Sequence, residues 1–403
     1  MHKLSIKKYK KAKFKTKLKA KAKAKLKEKE KAKAKSKIIT KIFFSIFLII
    51  IFILSNNPNI LQNIKIYLYG MKRVGVVNIS IDLNVGNILV KFSMFKKLEE
   101  MGFNATIIAP NYRPFKYDIS FVNRTIGSHL CLVDKNFSRL KEKDFDYLMV
   151  SSDQTWHPYV VAHYYKNIAF LKFAEKWHIK KFIYGVSAGG YELPFKEGEK
   201  ILIKSLLTNF TGISFREKGL VKLFEESIGL KSEFVLDPTF LLSKNHYLNT
   251  IKNYKSIYSE NDKFIFIYQL DRNYVLEKTI KKASKLFNFI VNKHKFEKRD
   301  YMESFIYGMN NGQAIITDSF HGTVFSIIFN KPFIAFSNSH RGKARFDSLR
   351  EVFGLDDRII VPSSYENINI NLLIEPLNID QSKLKKLKKF SLNYLKRNLG
   401  MAY

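Results

Sequence analysis

Cysteine is nearly absent from this 403-residue chain, which has one, Cys131. A single thiol excludes an intramolecular disulfide framework and any multi-cysteine zinc site. With 18 Gly and 9 Pro the bulk is neither collagen-like nor low-complexity. Several signatures are also missing. No G-x-x-x-x-G-K-[ST], H-E-x-x-H or G-x-G-x-x-G occurs, so P-loop NTPase, zinc protease and simple dinucleotide enzyme lack their core evidence. No His/Cys/Asp cluster suggests a metal site, and neither a metal nor a cofactor is expected. Acidic residues are few, 35 Asp+Glu against 70 Lys+Arg, a formal net charge of +35.

That charge is unevenly placed. Residues 1–41 hold nineteen Lys and two Glu, a net of +17, which leaves +18 on the other 362 residues. The latter is an ordinary balance for a globular protein that handles anions. Residues 1–37 are mostly Lys alternating with Ala, as in Lys19–Lys25. Such a block repels itself and has almost nothing to bury, so it reads as a disordered tail. Only Tyr9 and Phe14 lie between the lysines, too few aromatics for base stacking along the tail, so no specific nucleic-acid partner is expected.

Ile38–Leu54 (IITKIFFSIFLIIIFIL) follows, uncharged from Ile42 onward. Seventeen residues at ~1.5 Å rise span about 25 Å, the short end for a membrane helix. No small-x-small cleavage site follows, which favours an uncleaved single-pass anchor over a signal peptide. Residues 55–70 read as a linker. The positive-inside rule puts the Lys-rich end in the cytoplasm and the rest across the membrane. Five Asn-x-Ser/Thr sequons (Asn78, Asn104, Asn123, Asn136, Asn209) carry little weight in so Asn-rich a chain.

From Met71 the pattern alternates strand and helix. Strand-like runs are Lys72–Asn78, Ala105–Ala109, Tyr147–Val150, Phe182–Val186, Phe264–Tyr268, Phe289–Val291, Ala314–Thr317 and Phe333–Phe336. Helical periodicity covers Gly86–Gly102, Tyr274–Phe287, Gly322–Phe329 and Ser348–Phe353. Alternation over three hundred residues predicts open parallel sheets covered by helices, and the length predicts two of them. The expected fold is α/β, with two Rossmann-like domains facing a cleft. They cover 71–212 and 213–403, the second ending in a C-terminal helix.

In open α/β sheets, ligands bind beyond the carboxyl ends of the strands. Three strand ends carry polar residues: Asn84-Val85-Gly86-Asn87, Ser152-Asp153-Gln154-Thr155-Trp156 and Asp318-Ser319-Phe320-His321-Gly322-Thr323. His321 sits at a helix N-terminus, where the backbone N–H groups of Gly322 and Thr323 favour an anion and a histidine can deliver a proton. Equally, His321 caps the helix and Asp318 satisfies its backbone; position alone leaves the two readings even. Gly185-Val186-Ser187-Ala188-Gly189 matches the nucleophile-elbow pattern, but the helix that motif requires is broken by Gly190–Pro194. Arg216, after a short strand near the domain seam, reads by position alone as a salt-bridge or surface residue.

Taken in order, these segments resemble the polysaccharide pyruvyl transferase family from about Met71 to Leu355. The resemblance rests on the Asn84–Asn87 and Ser152–Trp156 segments, Ile213–Lys218, Leu236-Asp237-Pro238-Thr239, Thr317–Thr323, Lys331-Pro332-Phe333-Ile334 and Arg345–Leu349. Where this chain has Ser319, many family members carry Arg. The resemblance implies a two-domain architecture similar to the glycosyltransferase B fold. It also implies transfer of pyruvate from phosphoenolpyruvate to a sugar of a cell-surface polysaccharide or its precursor, as a ketal.

Within that implication Arg216 clamps the trianionic donor, because a planar guanidinium meets carboxylate or phosphate bidentately. His321 protonates the donor or ligates its phosphate, Asp318 orients His321, and Asp153 meets the sugar hydroxyls or acts as base. Gly322, Thr323, Ser319, Asn84, Gly86, Asn87, Trp156 and Arg345 complete the substrate-binding set. The implied partners are phosphoenolpyruvate, a saccharide acceptor and the membrane. Because phosphoenolpyruvate is a cytosolic metabolite, the cytoplasmic face is favoured for the catalytic part despite the charge rule. A nucleotide-sugar glycosyltransferase of the same fold, or an anchored sugar-binding protein without activity, are the competing readings.

Since residues 1–70 precede the first core strand, a chain beginning at Met71 should keep its thermal transition and lose membrane association. Differential scanning fluorimetry and membrane fractionation check this; an unfolded product would make the extension part of the fold.

Overall fold

The computed structural model describes residues 70–401 other than 82–83, 111–119, 152, 164–166, 194, 259–261, 296–299 and 339–340. Contacts divide the chain into Met1–Met71 and Lys72–Tyr403, and the second unit is the one with a describable fold. The Lys-rich tail, the apolar run 38–54 and the linker up to residue 69 lie outside the described residues. Among the described residues no helix is long and apolar enough to cross a membrane.

Short β-branched and aromatic runs supply the strands. The first six are β1 (Arg73–Val77), β2 (Asn104–Pro110), β3 (Leu130–Val133), β4 (Tyr147–Val150), β5 (Lys180–Ile183) and β6 (Phe210–Gly212). They form one parallel sheet in the order β3-β2-β1-β4-β5-β6. Two-residue strands β7 (Ser214–Phe215) and β8 (Glu233–Phe234) then pair with each other. The second large sheet holds β9 (Phe264–Tyr268), β10 (Ile290–Lys293), β11 (Ala314–Thr317), β12 (Phe333–Phe336) and β13 (Ile359–Ile360). It is also parallel, in the order β10-β9-β11-β12-β13. Every residue of β4, β9, β11 and β12 is buried, as expected of strands covered on both faces.

Each sheet reverses its strand order once, between β1 and β4 in the first and between β9 and β11 in the second. Such switch points open a crevice at the carboxyl ends of the strands. Helices α1 (Val85–Glu100), α2 (Lys218–Ile228), α3 (Tyr274–Phe287), α4 (Tyr301–Asn311), α5 (Phe320–Ile328), α6 (Lys343–Phe353) and α7 (Gln381–Asn398) cover the sheets. Local chemistry sets their ends. Asn84, Asn273, Ser319 and Asp380 accept from first-turn amides of α1, α3, α5 and α7, while Gly229 and Gly354 end α2 and α6 in the left-handed region.

The C-terminal helix, assigned from the sequence to the second half, lies against the first sheet. Its Tyr394 hydroxyl donates to the Ile183 carbonyl (2.6 Å), Asn398 accepts from the Thr211 hydroxyl (2.8 Å), and Ser391 accepts from the Leu236 amide (2.9 Å). Tyr394→Phe removes one buried hydrogen bond and leaves the packing. Its urea midpoint should fall by the equivalent of about 1 kcal/mol, with unchanged slope; an unshifted midpoint would show that this contact does not hold α7 in place.

Candidate active site

The two switch points face one small cavity of about 170 Å³. From the first sheet it receives Asn84 and Asn87 at the start of α1, and Asp153 and Gln154 after β4. From the second it receives Leu270 after β9 and Asp318, Ser319, Phe320 and His321 after β11. Arg341 and Arg345 come from the turn before α6 and its first turn.

A buried charge network underlies it. The Arg216 guanidinium donates to Asp237 Oδ2 and lies 3.3 Å from Asp153 Oδ1. Asp237 also receives the Thr239 amide (3.0 Å) and hydroxyl (2.7 Å), the local cap of the Asp-Pro-Thr turn. Burial works against the Asp237 carboxylate, yet the His321 ring and the Arg216 guanidinium hold its pKa well below the usual range. Asp153 is likewise lowered against burial, by Arg216 first and then His321, Lys91 and Arg345. Both acids are therefore ionised at neutral pH.

Arg345 differs. Its guanidinium is buried and forms no ion pair among the described residues. Burial and the neighbouring Arg216 push its pKa down to about 10. Both guanidiniums pack on the Phe320 ring, Arg216 at 4.8 Å and Arg345 at 5.0 Å, a cation–π arrangement that orients each. His321 lies between the halves. Its Nε2 is buried, 3.6 Å from Asp237 Oδ2 and just beyond hydrogen-bond reach. The ring presses on Gly86, where any Cβ would sit 1.9 Å from Nδ1.

The cavity thus gathers Asn84, Asn87, Asp153, Asp318, Ser319, His321 and Arg345 of the residues expected from the sequence. The others fall elsewhere. Trp156 is fully buried, its indole N–H donates to the Ala169 carbonyl (3.0 Å), and Phe170, Phe215 and Phe224 surround it. It is core rather than a sugar platform. Gly322 and Thr323 do not offer free amides. The Gly322 amide donates to Ser319 Oγ (3.3 Å) and the Thr323 amide to the Ser319 carbonyl (3.0 Å). Gly86 and Gly322 serve close packing instead, Gly322 because a Cβ would lie 2.2 Å from Thr317 Oγ1. Arg216 is spent on two carboxylates below the cavity.

Asp318 does not orient His321. Its two oxygens accept from the backbone amides of Leu270 (2.7 Å) and Asp271 (2.9 Å), which fixes that turn. The carboxylate beside His321 is Asp237. Ser187, of the elbow-like sequence, bonds the buried Glu217 carboxyl.

Sequence reasoning assigned no role to Asp237, Lys91 or Arg341. Lys91 is buried in α1 with Nζ 2.7 Å from Asn87 Oδ1. Arg341 pairs with Asp271 through Nε (2.6 Å) and Nη2 (2.8 Å). The Asp-Pro-Thr turn after a short strand was a readable signal for Asp237. A lysine on the apolar stripe of a helix was a weak one for Lys91. Among the described residues no group of acids, histidines and cysteine could hold a metal ion.

A family model described as polysaccharide pyruvyl transferase matches residues 84–340. No curated protein matches the sequence. Among solved structures, UDP-GlcNAc 2-epimerase from Methanocaldococcus jannaschii is similar, with a TM-score of 0.50 at 13% identity over 81% of this chain and 99% of that one. UDP-GlcNAc 2-epimerase from Neisseria meningitidis bound to UDP-GlcNAc has a TM-score of 0.47 at 11% identity, over 81% and 100%. The first of these shows a shared fold, two parallel α/β sheets of glycosyltransferase-B-like architecture.

Breaking one side of a buried ion pair leaves the other charge uncompensated, so Asp237→Asn should cost about 3–5 kcal/mol. Because the folded carboxyl is held low, its stabilisation is present above the unfolded pKa of ~3.9 and is lost as the pH falls below it. Acid titrations of stability should therefore be flatter below about pH 4 in the variant; parallel curves would show that Asp237 is not a source of the acid sensitivity.

Proposed function

The chain belongs to the polysaccharide pyruvyl transferase family, and on that premise we propose that its cavity holds phosphoenolpyruvate as donor and passes pyruvate to a saccharide as a ketal. The observation that carries the reading is Arg345, a buried guanidinium with no ion pair among the described residues, at the wall of the cavity beside His321. A cation kept from water needs an anion, and the bound donor supplies one. The arginine that many family members have at position 319 is Ser319 here, and Arg345 offers the charge that Ser319 lacks.

The chemistry follows from the residues at hand. His321 protonates C3 of the enol ether, and positive charge develops at C2. Asp153, ionised and facing the cavity, accepts hydrogen bonds from the attacking sugar hydroxyls. One hydroxyl adds to C2, the C2–O bond to phosphate breaks, and a second hydroxyl adds to close the ketal. The two hydroxyl protons balance, one reaching C3 by way of His321 and one leaving on phosphate. Asp237 is a positioning residue, sharing one carboxylate between Arg216 and the His321 side of the cavity. Residues 38–54 are proposed to hold the enzyme at a membrane, with residues 72–403 on the side where phosphoenolpyruvate is made.

Phosphate release from phosphoenolpyruvate over a panel of lipid-linked and free saccharides tests the donor. His321→Asn should keep donor binding and lose turnover by about 10²–10⁴. Arg345→Gln should instead raise donor KM with a smaller loss of kcat. Turnover of a nucleotide sugar without phosphate release would make the chain a glycosyltransferase. Near-wild-type turnover in His321→Asn would remove His321 from the chemistry.

A further inference from the structure

At about 170 Å³ the cavity is smaller than the ~300–1,000 Å³ of sites that take a whole drug-sized ligand, so it suits a compact donor rather than a donor and a sugar ring together. The acceptor must therefore extend outside it. A second depression, about 460 Å³, opens on the far side of Leu270, the residue it shares with the cavity. Its wall carries Gln269, Asp271, Arg272, Tyr274, Glu277 and Lys293.

Tyr274, the first residue of α3, is 81% exposed, so its ring does no work in the core. An exposed aromatic face beside a row of polar side chains suits a pyranose, whose C–H face packs on the ring while its hydroxyls meet the polar groups. The charges suit a neutral saccharide better than a diphosphate. Asp271 is paired with Arg341 and Glu277 with Lys293 (3.0 Å), so two acids line the depression and Arg272 alone carries an uncompensated charge. The depression is also held in register with the cavity, because Asp318 binds the amides of Leu270 and Asp271 from the cavity side.

We propose that the acceptor is at least a disaccharide. The sugar to be ketalised faces Asp153, and the next sugar of the chain packs on Tyr274 beside Arg272. This deepens the pyruvyl-transfer reading and rests on it for the identity of the cavity's occupant.

Calorimetric titration of the full chain with methyl glucoside, methyl mannoside and methyl galactoside, and with their matched di- and tetrasaccharides, tests the subsite directly. For one sugar series, affinity should rise about tenfold from mono- to disaccharide in the wild type. The rise should be absent in Tyr274→Ala and kept in Tyr274→Phe, with monosaccharide affinity equal in all three. Equal affinities for mono- and disaccharides in the wild type, or a length dependence that survives Tyr274→Ala, would overturn the proposal. So would a Tyr274→Ala variant that loses UDP binding while its saccharide affinities stay put, since the depression would then be a nucleotide site. Phosphate release from phosphoenolpyruvate with the same panel separates the two readings. Length-dependent binding without phosphate release removes pyruvyl transfer and leaves the Tyr274 subsite standing.

Discussion

Arg216, clamped between Asp237 and Asp153, is the interaction on which the rest of the site depends. The side chains of Arg216 and Asp237 are each 1% exposed. Removing such ions from water costs several kcal/mol apiece, so the pair is a poor way to gain stability. Its value is geometric. Asp153 follows β4, Arg216 follows β7, Asp237 follows β8, and His321 lies on the α5 turn after β11. One network thus joins both sheets through side chains that cannot shift without stranding a charge. It also shapes the cavity's electrostatics, since two carboxylates are committed to Arg216 and neither forms an ion pair with Arg345 among the described residues.

The backbone at Asp153 supports the same conclusion. Its φ of 105° lies in a region that side-chain-bearing residues avoid, at a cost of about 1–3 kcal/mol. Such strain persists where the surroundings over-determine it. Here the Asp153 carbonyl accepts from the amides of Thr155 (2.7 Å) and Ser187 (3.1 Å), and Trp156, with its amide bonded to the Ser187 carbonyl, sits rigidly in the core below. Ser187 is held in turn by Glu217. Trp156 thereby supports the aspartate without touching the cavity.

The strands were the legible part of the sequence. Tyr147–Val150, Phe264–Tyr268, Ala314–Thr317 and Phe333–Phe336 are apolar runs bounded by polar turns, and the structure has strands with those bounds. Leu130–Val133 escaped notice because three of its four residues are only half-buried, so its apolar run is no stronger than its surroundings. Helices Lys218–Ile228 and Tyr301–Asn311 were legible but not read: Leu220, Phe224 and Ile228 form one buried stripe at helical spacing, as do Met302, Phe305, Ile306 and Met309. Strand ends led to Asp153, Asp318, Ser319 and His321, since in a parallel sheet those positions are fixed by topology. Which carboxylate meets which partner was not legible. That depends on how two sheets more than a hundred residues apart approach one another, as in the contact of Asp237 with His321. Trp156 illustrates the same limit, because an indole three residues from a carboxylate at a strand end reads alike whether it faces sugar or core.

The same approach explains why the anion belongs innermost. Gly86 lets the His321 ring lie against the start of α1, so the N-termini of α1 and α5 converge on one cavity. Each contributes roughly half a positive charge, concentrated in its first turn. Lys91 lies buried in the second turn of α1 and Arg345 stands at the wall, while the two acids below share one guanidinium, Arg216. Outside the cavity, Asp271 and Glu277 restore the balance through their own ion pairs. On the proposed reading Arg345 and the two helix N-termini hold the small, highly charged donor, whereas a neutral saccharide has no reason to go deeper than its hydroxyls require. The proposed order of layers, donor below and acceptor above, therefore rests on the position of Arg345 and the helix N-termini as well as on the size of the cavity.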